Sequence, residues 1–301
     1  MVGHTASGKS AIAETLAERH NAAIVSVDSM QVYRGMDIGT AKPDLATQER
    51  IPHAMVDVVD PSEAYNAKQF QESGRASIDA LLGSHGKVII VGGSGLHFRS
   101  LVDPMTFAPT DPDVRADIES LDKAERVDVL LTIDPDAASV VDVSNPRRVI
   151  RAIEVHRITG QTPTERAARP EALALKRYQS HLPFTGFGLD AGEDSDDRIR
   201  TRFDGMLELG LYEEVESLLP SMGDTARHAV GYRELIEVLE ERISIDAARN
   251  EALRSTAALV KRQRTFFNRD PRITWLPWHH DVDTRIVASV DAIEEAARWT
   301  S

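Results

Sequence analysis

Eight residues at the start of the chain, Gly3-His4-Thr5-Ala6-Ser7-Gly8-Lys9-Ser10, constrain the fold more than any others. They match G-x-x-x-x-G-K-[ST], in which glycine permits turns tight enough for successive backbone N–H groups to point at phosphate oxygens. Apolar Ile12 and Leu16 within residues 9–20 predict a helix opening at Lys9. Its N-terminal dipole adds to the pull on an anion. Lys9 supplies a point charge and Ser10 a hydroxyl for Mg²⁺. A diphosphate or triphosphate ligand is therefore expected, although a phosphate loop does not by itself mean a kinase. Such a loop normally follows a buried strand, and only Met1 and Val2 precede this one. Either the start is truncated or the sheet lacks most of that strand.

Downstream, strand and helix signals alternate. Strands are expected at 22–27, 53–59 and 87–91, and helices at 67–82, stopped by Gly83 and Gly86, and at 96–101. Alternation of this kind predicts a parallel sheet covered on both faces by helices, an α/β fold of the P-loop NTPase type. The pattern changes near Pro104. Residues 111–182 show helical periodicity, with helices around 127–131 and 146–158, the latter opening on Pro146 where a missing N–H is harmless. A strand at 184–189 returns the chain to the sheet. Helices at 197–209, 231–241 and 245–267, a strand at 273–276 and a helix at 282–299 complete it. The expected organisation is an α/β core of residues 1–110 and 183–301 interrupted by a helical insertion domain, 111–182.

Composition narrows the function classes. Cysteine is absent, which excludes disulfides, thiolate catalysis and Cys-based zinc sites. No apolar run approaches the roughly 20 residues that span a bilayer, and no secretory signal is visible, so a cytoplasmic protein without a membrane partner is expected. Net charge is −13, which taken alone argues against nucleic acid. Its distribution matters more. Acidic residues dominate 111–125, 193–197 and 234–241, whereas arginines cluster at Arg147, Arg148 and Arg151, and basic residues again at Lys261, Arg262 and Arg264. An acidic protein with local basic strips can still grip RNA, although solvated helix faces would look the same.

Further strings carry chemistry. Asp28-Ser29-Met30-Gln31-Val32-Tyr33-Arg34-Gly35 continues into Met36-Asp37-Ile38-Gly39-Thr40-Ala41-Lys42-Pro43. Asp28 follows a strand, at the carboxyl edge where open α/β sheets bind ligands. There it can hold Mg²⁺, act as a general base or merely cap a helix. Val91-Gly92-Gly93-Ser94-Gly95-Leu96 ends a strand in small residues, which lets another molecule approach the backbone. The basic segments Asn145-Pro146-Arg147-Arg148, Val230-Gly231-Tyr232-Arg233-Glu234 and Lys261-Arg262-Gln263-Arg264-Thr265-Phe266-Phe267 combine arginine, suited to phosphate, with aromatics that either stack on bases or fill core.

Taken together these strings resemble the tRNA dimethylallyltransferase (isopentenyltransferase) family, in order and through nearly the whole chain. The long Asp28–Pro43 string is far more specific than the loop. His4 stands where the family usually has Pro, and Ser94 where Thr is commoner. The resemblance implies that residues 3–10 hold the diphosphate of dimethylallyl diphosphate with Mg²⁺ on Ser10. Lys9 and Thr5 would stabilise the leaving group, and Asp28 would take the proton from the attacking adenine N6. It further implies that Asp28, Ser29, Met30, Gln31 and Ser94 surround the adenine, with Gln31 reading its edge. Arg115, Arg147, Arg148, Arg151, Arg233, Lys261, Arg262 and Arg264 would grip the anticodon stem-loop of tRNA, and the enzyme would act as a monomer. Competing expectations are a small-molecule P-loop kinase, a prenyltransferase acting on free AMP or ATP, and a GTPase-like binding module.

Overall fold

A computed structural model describes residues 1–190, 192 and 195–298. The chain divides into two compact units, Met1–Val102 with Pro183–Ser301, and Asp103–Leu182. In the first unit six parallel strands form the frame: β1 (Val2–Gly3), β2 (Ala23–Ser26), β3 (His53–Ala54), β4 (Val88–Val91), β5 (Gly186–Leu189) and β6 (Ile273–Leu276). They pair as β3-β2-β4 and β1-β5-β6. A bridge between Val2 and Gly92, with the Gly92 N–H donating to Met1 O at 3.2 Å, joins the two halves. The strand ahead of the phosphate loop thus exists but is two residues long, lodged between β5 and the end of β4. Its small size is offset by complete burial, since Val2 is 1% exposed.

The strands are short, apolar runs because both faces are covered. Ile24 of β2, Ile89 and Val91 of β4, Phe187 and Leu189 of β5 and Leu276 of β6 share one cluster with Ile12 and Leu16 of the helix Lys9–His20 and Val290 and Ile293 of the helix Val282–Ala297. The helix Ala67–His85 begins in a capping box, Asn66 accepting from Gln69 N–H while the Gln69 side chain accepts from Asn66 N–H. It ends at Gly86, whose φ of 72° suits a left-handed terminus.

The strand expected at 53–59 is shorter than its apolar pattern suggests. Met55 (φ 64°) and Asp57 (φ 53°) leave the extended region. Residues 57–59 instead hydrogen-bond to the Gln31–Arg34 segment, Val58 N–H donating to Val32 O at 2.7 Å. The final helix ends at Ala297; residue 299, expected in it, lies outside the described residues, as do 193 and 194 of the acidic run.

In the second unit, the helices Pro112–Glu119, Lys123–Ile133 and Pro146–Thr159 pack together over Ile118, Leu130, Val149 and Ile153. Each starts with an Asp or Asn side chain accepting from its own first-turn N–H groups. The helical spacing read from the sequence follows from these caps and this shared apolar core.

Candidate active site

Three of the motif-bearing loops leave the carboxyl edge of the parallel sheet: the phosphate loop after β1, Asp28 just beyond β2, and Gly92–Ser94 after β4. Within the phosphate loop, Ala6 (φ 62°) and Gly8 (φ 92°) take left-handed conformations. At Gly8 a side chain would be strained by the backbone conformation alone. The His4 carbonyl accepts from Ser7 Oγ (2.9 Å) and from Lys9 Nζ (2.6 Å). That folds the ammonium over the loop where a phosphate would lie. Burial pushes the Lys9 ammonium down to about 8, helped by Arg202 and opposed by Asp28. The His4 ring is also structural: it is buried, stacks on Trp275 and lies 3.5 Å from Asp190. Burial, against the pull of Asp190, lowers its pKa.

Asp28 is not a helix cap. Residues 29–35 form turns, and Asp28 Oδ1 accepts from Met30 N–H at 2.8 Å and Gln31 N–H at 3.4 Å, a local Asx turn. This fixes the carboxylate while its second oxygen makes no hydrogen bond among the described residues. Two cavities meet at this point. One, of ≈ 280 Å³, is walled by Met30, Phe203, Met206, Leu211, Tyr232 and Leu259. The other, of ≈ 370 Å³, contains Lys9, Ser10, Glu14 and Ser26. Thr5, Asp28, Thr40, Gly93, Arg202 and Gln263 line both. The arrangement offers a polar anion chamber and a largely apolar chamber with a carboxylate at their junction.

Several expected binding residues have other work. Gln31, expected to read a base edge, has its amide fully engaged: Oε1 accepts from Ser26 Oγ at 2.8 Å, and Nε2 donates to Thr40 O and Ala41 O at 3.2 and 3.3 Å. It braces the loop instead. Ser94 lies in the apolar chamber, its Oγ 2.6 Å from His97 Nδ1, and burial keeps that imidazole's pKa low. The molecule that approaches the Gly92–Gly95 backbone is the chain's own helix Ile245–Phe267, through Gln263 at Gly93 and Phe266 at Gly95. Phe267 and Tyr232 are buried core. Ser29 and Met30 line the apolar chamber.

Among the basic residues, Arg115 and Arg151 turn inward onto Glu154, at 2.9 and 2.7 Å, and Arg151 also donates to Ala108 O and Pro109 O. Arg233 is tied to buried Glu234 and to Ser255, and Arg264 lies 3.3 Å from Asp190. Arg147 and Arg148 are exposed and, with Arg166, border a cavity of ≈ 630 Å³ within the second unit. Lys261 and Arg262 are exposed on the long helix of the first unit.

Residues that pattern reading missed stand beside the phosphate loop, Arg198 and Arg285, or line the anion chamber, Arg202. Arg198 Nε donates to Ala6 O at 3.1 Å, and the guanidiniums of Arg198 and Arg285 lie over the Trp278 ring at 4.3 and 4.1 Å. Arg202, one turn beyond Arg198, has its pKa lowered by burial against the opposing pull of Asp28. The only signal for them was i, i+4 spacing opposite Ile199 and Phe203, submerged in an acidic stretch. As for a metal, no cluster of three His, Cys, Asp or Glu occurs among the described residues. The exposed Ser10 hydroxyl in the anion chamber suits an ion that brings most of its oxygen ligands with a diphosphate, as Mg²⁺ does. No described helix is long and apolar enough to cross a membrane.

Residues 31–270 match the family model described as IPP transferase. Named relatives include the tRNA dimethylallyltransferase of Bifidobacterium longum, 41% identical across 97% of this chain and 91% of that protein, and that of Streptomyces avermitilis, 41% identical across 92% and 88%. Among solved structures, the tRNA delta(2)-isopentenylpyrophosphate transferase of Staphylococcus epidermidis superposes with a TM-score of 0.70 at 30% identity, covering 99% of this chain and 98% of that one. The tRNA isopentenylpyrophosphate transferase of Bacillus halodurans gives 0.70 at 32%, covering 99% and 97%. A eukaryotic dimethylallyltransferase acting on tRNA gives 0.78 at 24% identity, covering 99% and 78%, and shares the fold. With most of its length matched by the family model and such relatives spanning nearly all of it, the chain belongs to the IPP transferase family.

Proposed function

We propose that this chain transfers the dimethylallyl group of dimethylallyl diphosphate to N6 of adenosine 37 in tRNA, beside the anticodon, releasing diphosphate. The observation that carries this reading is the Asp28 carboxylate, held by its Asx turn where the anion chamber opens into the apolar one. The allylic C–O bond breaks, its electron pair leaving on the diphosphate, and the N6–C bond forms. Asp28 accepts the N6 proton, a contribution worth ~10²–10⁴-fold. Negative charge grows on the leaving diphosphate, where loop N–H groups, Lys9 and Arg202 converge, with Thr5 at the mouth. Mg²⁺ bound with the diphosphate on Ser10 would further neutralise that charge. The target base must leave the anticodon stack to reach Asp28. Exposed Arg147, Arg148, Lys261 and Arg262 supply backbone contacts to the anticodon arm. The enzyme acts as a cytoplasmic monomer.

The test is transfer of radiolabelled dimethylallyl diphosphate to an unmodified anticodon stem-loop, with a loop carrying guanosine at the target position and free AMP as controls. Label only in the adenosine loop is the expected result. Label in AMP would move the acceptor to a free nucleotide, and label in neither would reject the transfer.

Lys9 gives the reading a pH signature. The protonated ammonium binds the donor, so kcat/KM for the diphosphate should fall on the alkaline side with a limb near 8, the value burial gives the free enzyme. Lys9→Arg stays protonated and should move that limb upward by more than one pH unit. A limb unmoved in the variant assigns the titration to another group.

A further inference from the structure

The loop that walls the cavity junction is held by a residue far away in sequence. Glu214, on the helix Leu211–Leu218, accepts from three consecutive backbone N–H groups: Asp37 at 3.0 Å, Ile38 at 2.8 Å and Gly39 at 3.2 Å. A fourth donor is the Tyr232 hydroxyl. Tyr232 is buried, and burial together with the neighbouring Glu214 holds its phenol protonated, so toward Glu214 it donates. The fit is close. At Gly39 an added Cβ would collide with the Tyr232 ring, so only glycine lets the loop reach Glu214 past that ring.

From Gly39 a chain of contacts leads to Asp28. Thr40 and Ala41 carbonyls accept from Gln31 Nε2, and Gln31 Oε1 accepts from Ser26 at the end of β2. The Gln31 and Met30 N–H groups in turn hold Asp28 Oδ1. The far side of the loop is tied by Lys42, whose buried ammonium donates to Tyr33 O (2.9 Å) and to the carboxylates of Asp37 (2.5 Å) and Asp57 (2.6 Å). Lys42 and Glu214 therefore clamp the 37–42 segment from two sides. Glu214 reaches across from another helix and is not among the residues lining the anion chamber.

We propose that Glu214 is a positioning residue for the transfer. Its carboxylate gathers the 37–39 amides and, through Thr40, Ala41 and Gln31, sets the Asp28 carboxylate and the acceptor wall formed by Gly39, Thr40 and Tyr232. A carboxylate suits this place because four donors converge on it and it has no proton of its own to oppose them. Glutamine keeps the shape but turns an N–H₂ toward N–H groups.

The inference rests on the transferase reading, and its test separates the two. Wild-type enzyme must first transfer label to the adenosine loop; if it does not, the reading fails before this residue is in question. Glu214→Gln is then expected to lower kcat by up to ~10²-fold, the scale of a misplaced reacting group, while KM for dimethylallyl diphosphate stays within about twofold. Hydrogen exchange should quicken in peptides covering 36–42 and 28–31 and stay unchanged in the helix Lys9–His20. Tyr232→Phe should give a smaller loss, and the double variant should lose no more than Glu214→Gln alone, because both act through one carboxylate. Unchanged kcat in Glu214→Gln overturns the proposal. So does a loss spread equally over kcat, donor KM and exchange of the whole first unit, which would make Glu214 a general stabiliser.

Discussion

Asp28→Asn should cut single-turnover transfer by ~10²–10⁴-fold while the enzyme still binds dimethylallyl diphosphate. The substitution is close to isosteric, and the Asn side-chain oxygen can still accept from Met30 N–H, so the Asx turn that places the group survives. What disappears is the capacity to take a proton. Donor binding should change by only a few-fold, because the groups converging on the diphosphate are the loop N–H groups, Lys9 and Arg202, none of which hydrogen-bonds Asp28. The measurement is rapid quench with donor prebound and anticodon stem-loop in excess, alongside equilibrium binding of the donor. A mutant rate within threefold of wild type would show that the N6 proton goes to solvent instead. Equal loss of donor affinity and rate would make Asp28 part of the anion site rather than the base.

The parts of this site that were legible in the sequence are those built from neighbours in the chain. The phosphate loop is set by glycine and by the start of one helix, and Asp28 by the end of one strand and an N–H two residues on. The short apolar runs of β2, β4 and β5 follow from a sheet buried on both faces. Contacts across long separations left no such trace. Arg198 reaches the phosphate loop, and Arg202 the anion chamber, from a stretch whose local composition is acidic. Glu214 meets residues 37–39 from some 175 positions away. Nothing in the character of a lone Glu on an amphipathic helix announces four donors.

Misassigned roles have the same physical root. A glutamine beside a catalytic-looking aspartate reads as a base reader, yet two backbone carbonyls and Ser26 satisfy Gln31 first. An arginine reads as an RNA contact until its buried partner is visible. Arg151 sits beside Arg147 and Arg148, and Arg115 in an acidic run, but the carboxylate both serve is on the inner face of the helix Pro146–Thr159, and burial of Glu154 cannot be told from exposure by its neighbours in sequence.

That partner carries the second large effect. Glu154 has no exposed surface, and it accepts from Asp111 N–H at 3.1 Å as well as from Arg115 and Arg151. With Arg151 also holding the Ala108 and Pro109 carbonyls, it ties the 108–111 segment to the helices Pro112–Glu119 and Pro146–Thr159. Glu154→Ala would strand two guanidiniums and an amide. A fully buried pair loses about 3–5 kcal/mol when one partner goes, and because Arg115 and Arg151 are 43% and 33% exposed, about 2–3 kcal/mol is expected here. Burial alone would raise the Glu154 carboxyl, but hydrogen bonds from Arg115, Arg151 and Asp111 N–H outweigh it and hold the pKa below the ordinary value. A depressed carboxylate stabilises fully above its unfolded pKa and loses that effect as pH falls through the folded one. The difference between wild type and Glu154→Ala should therefore be largest near neutrality and shrink in acid. Thermal melts at both pH values, with donor binding as a control for the first unit, test it. Exposed Arg148, near the exposed Asp142, should behave oppositely: Arg148→Ala leaves the melt alone and lowers the salt slope of tRNA binding by about one. Equal melts for wild type and Glu154→Ala at neutral pH would show that water satisfies the two arginines as well as Glu154 does, and would return them to the RNA-facing role their sequence context suggested.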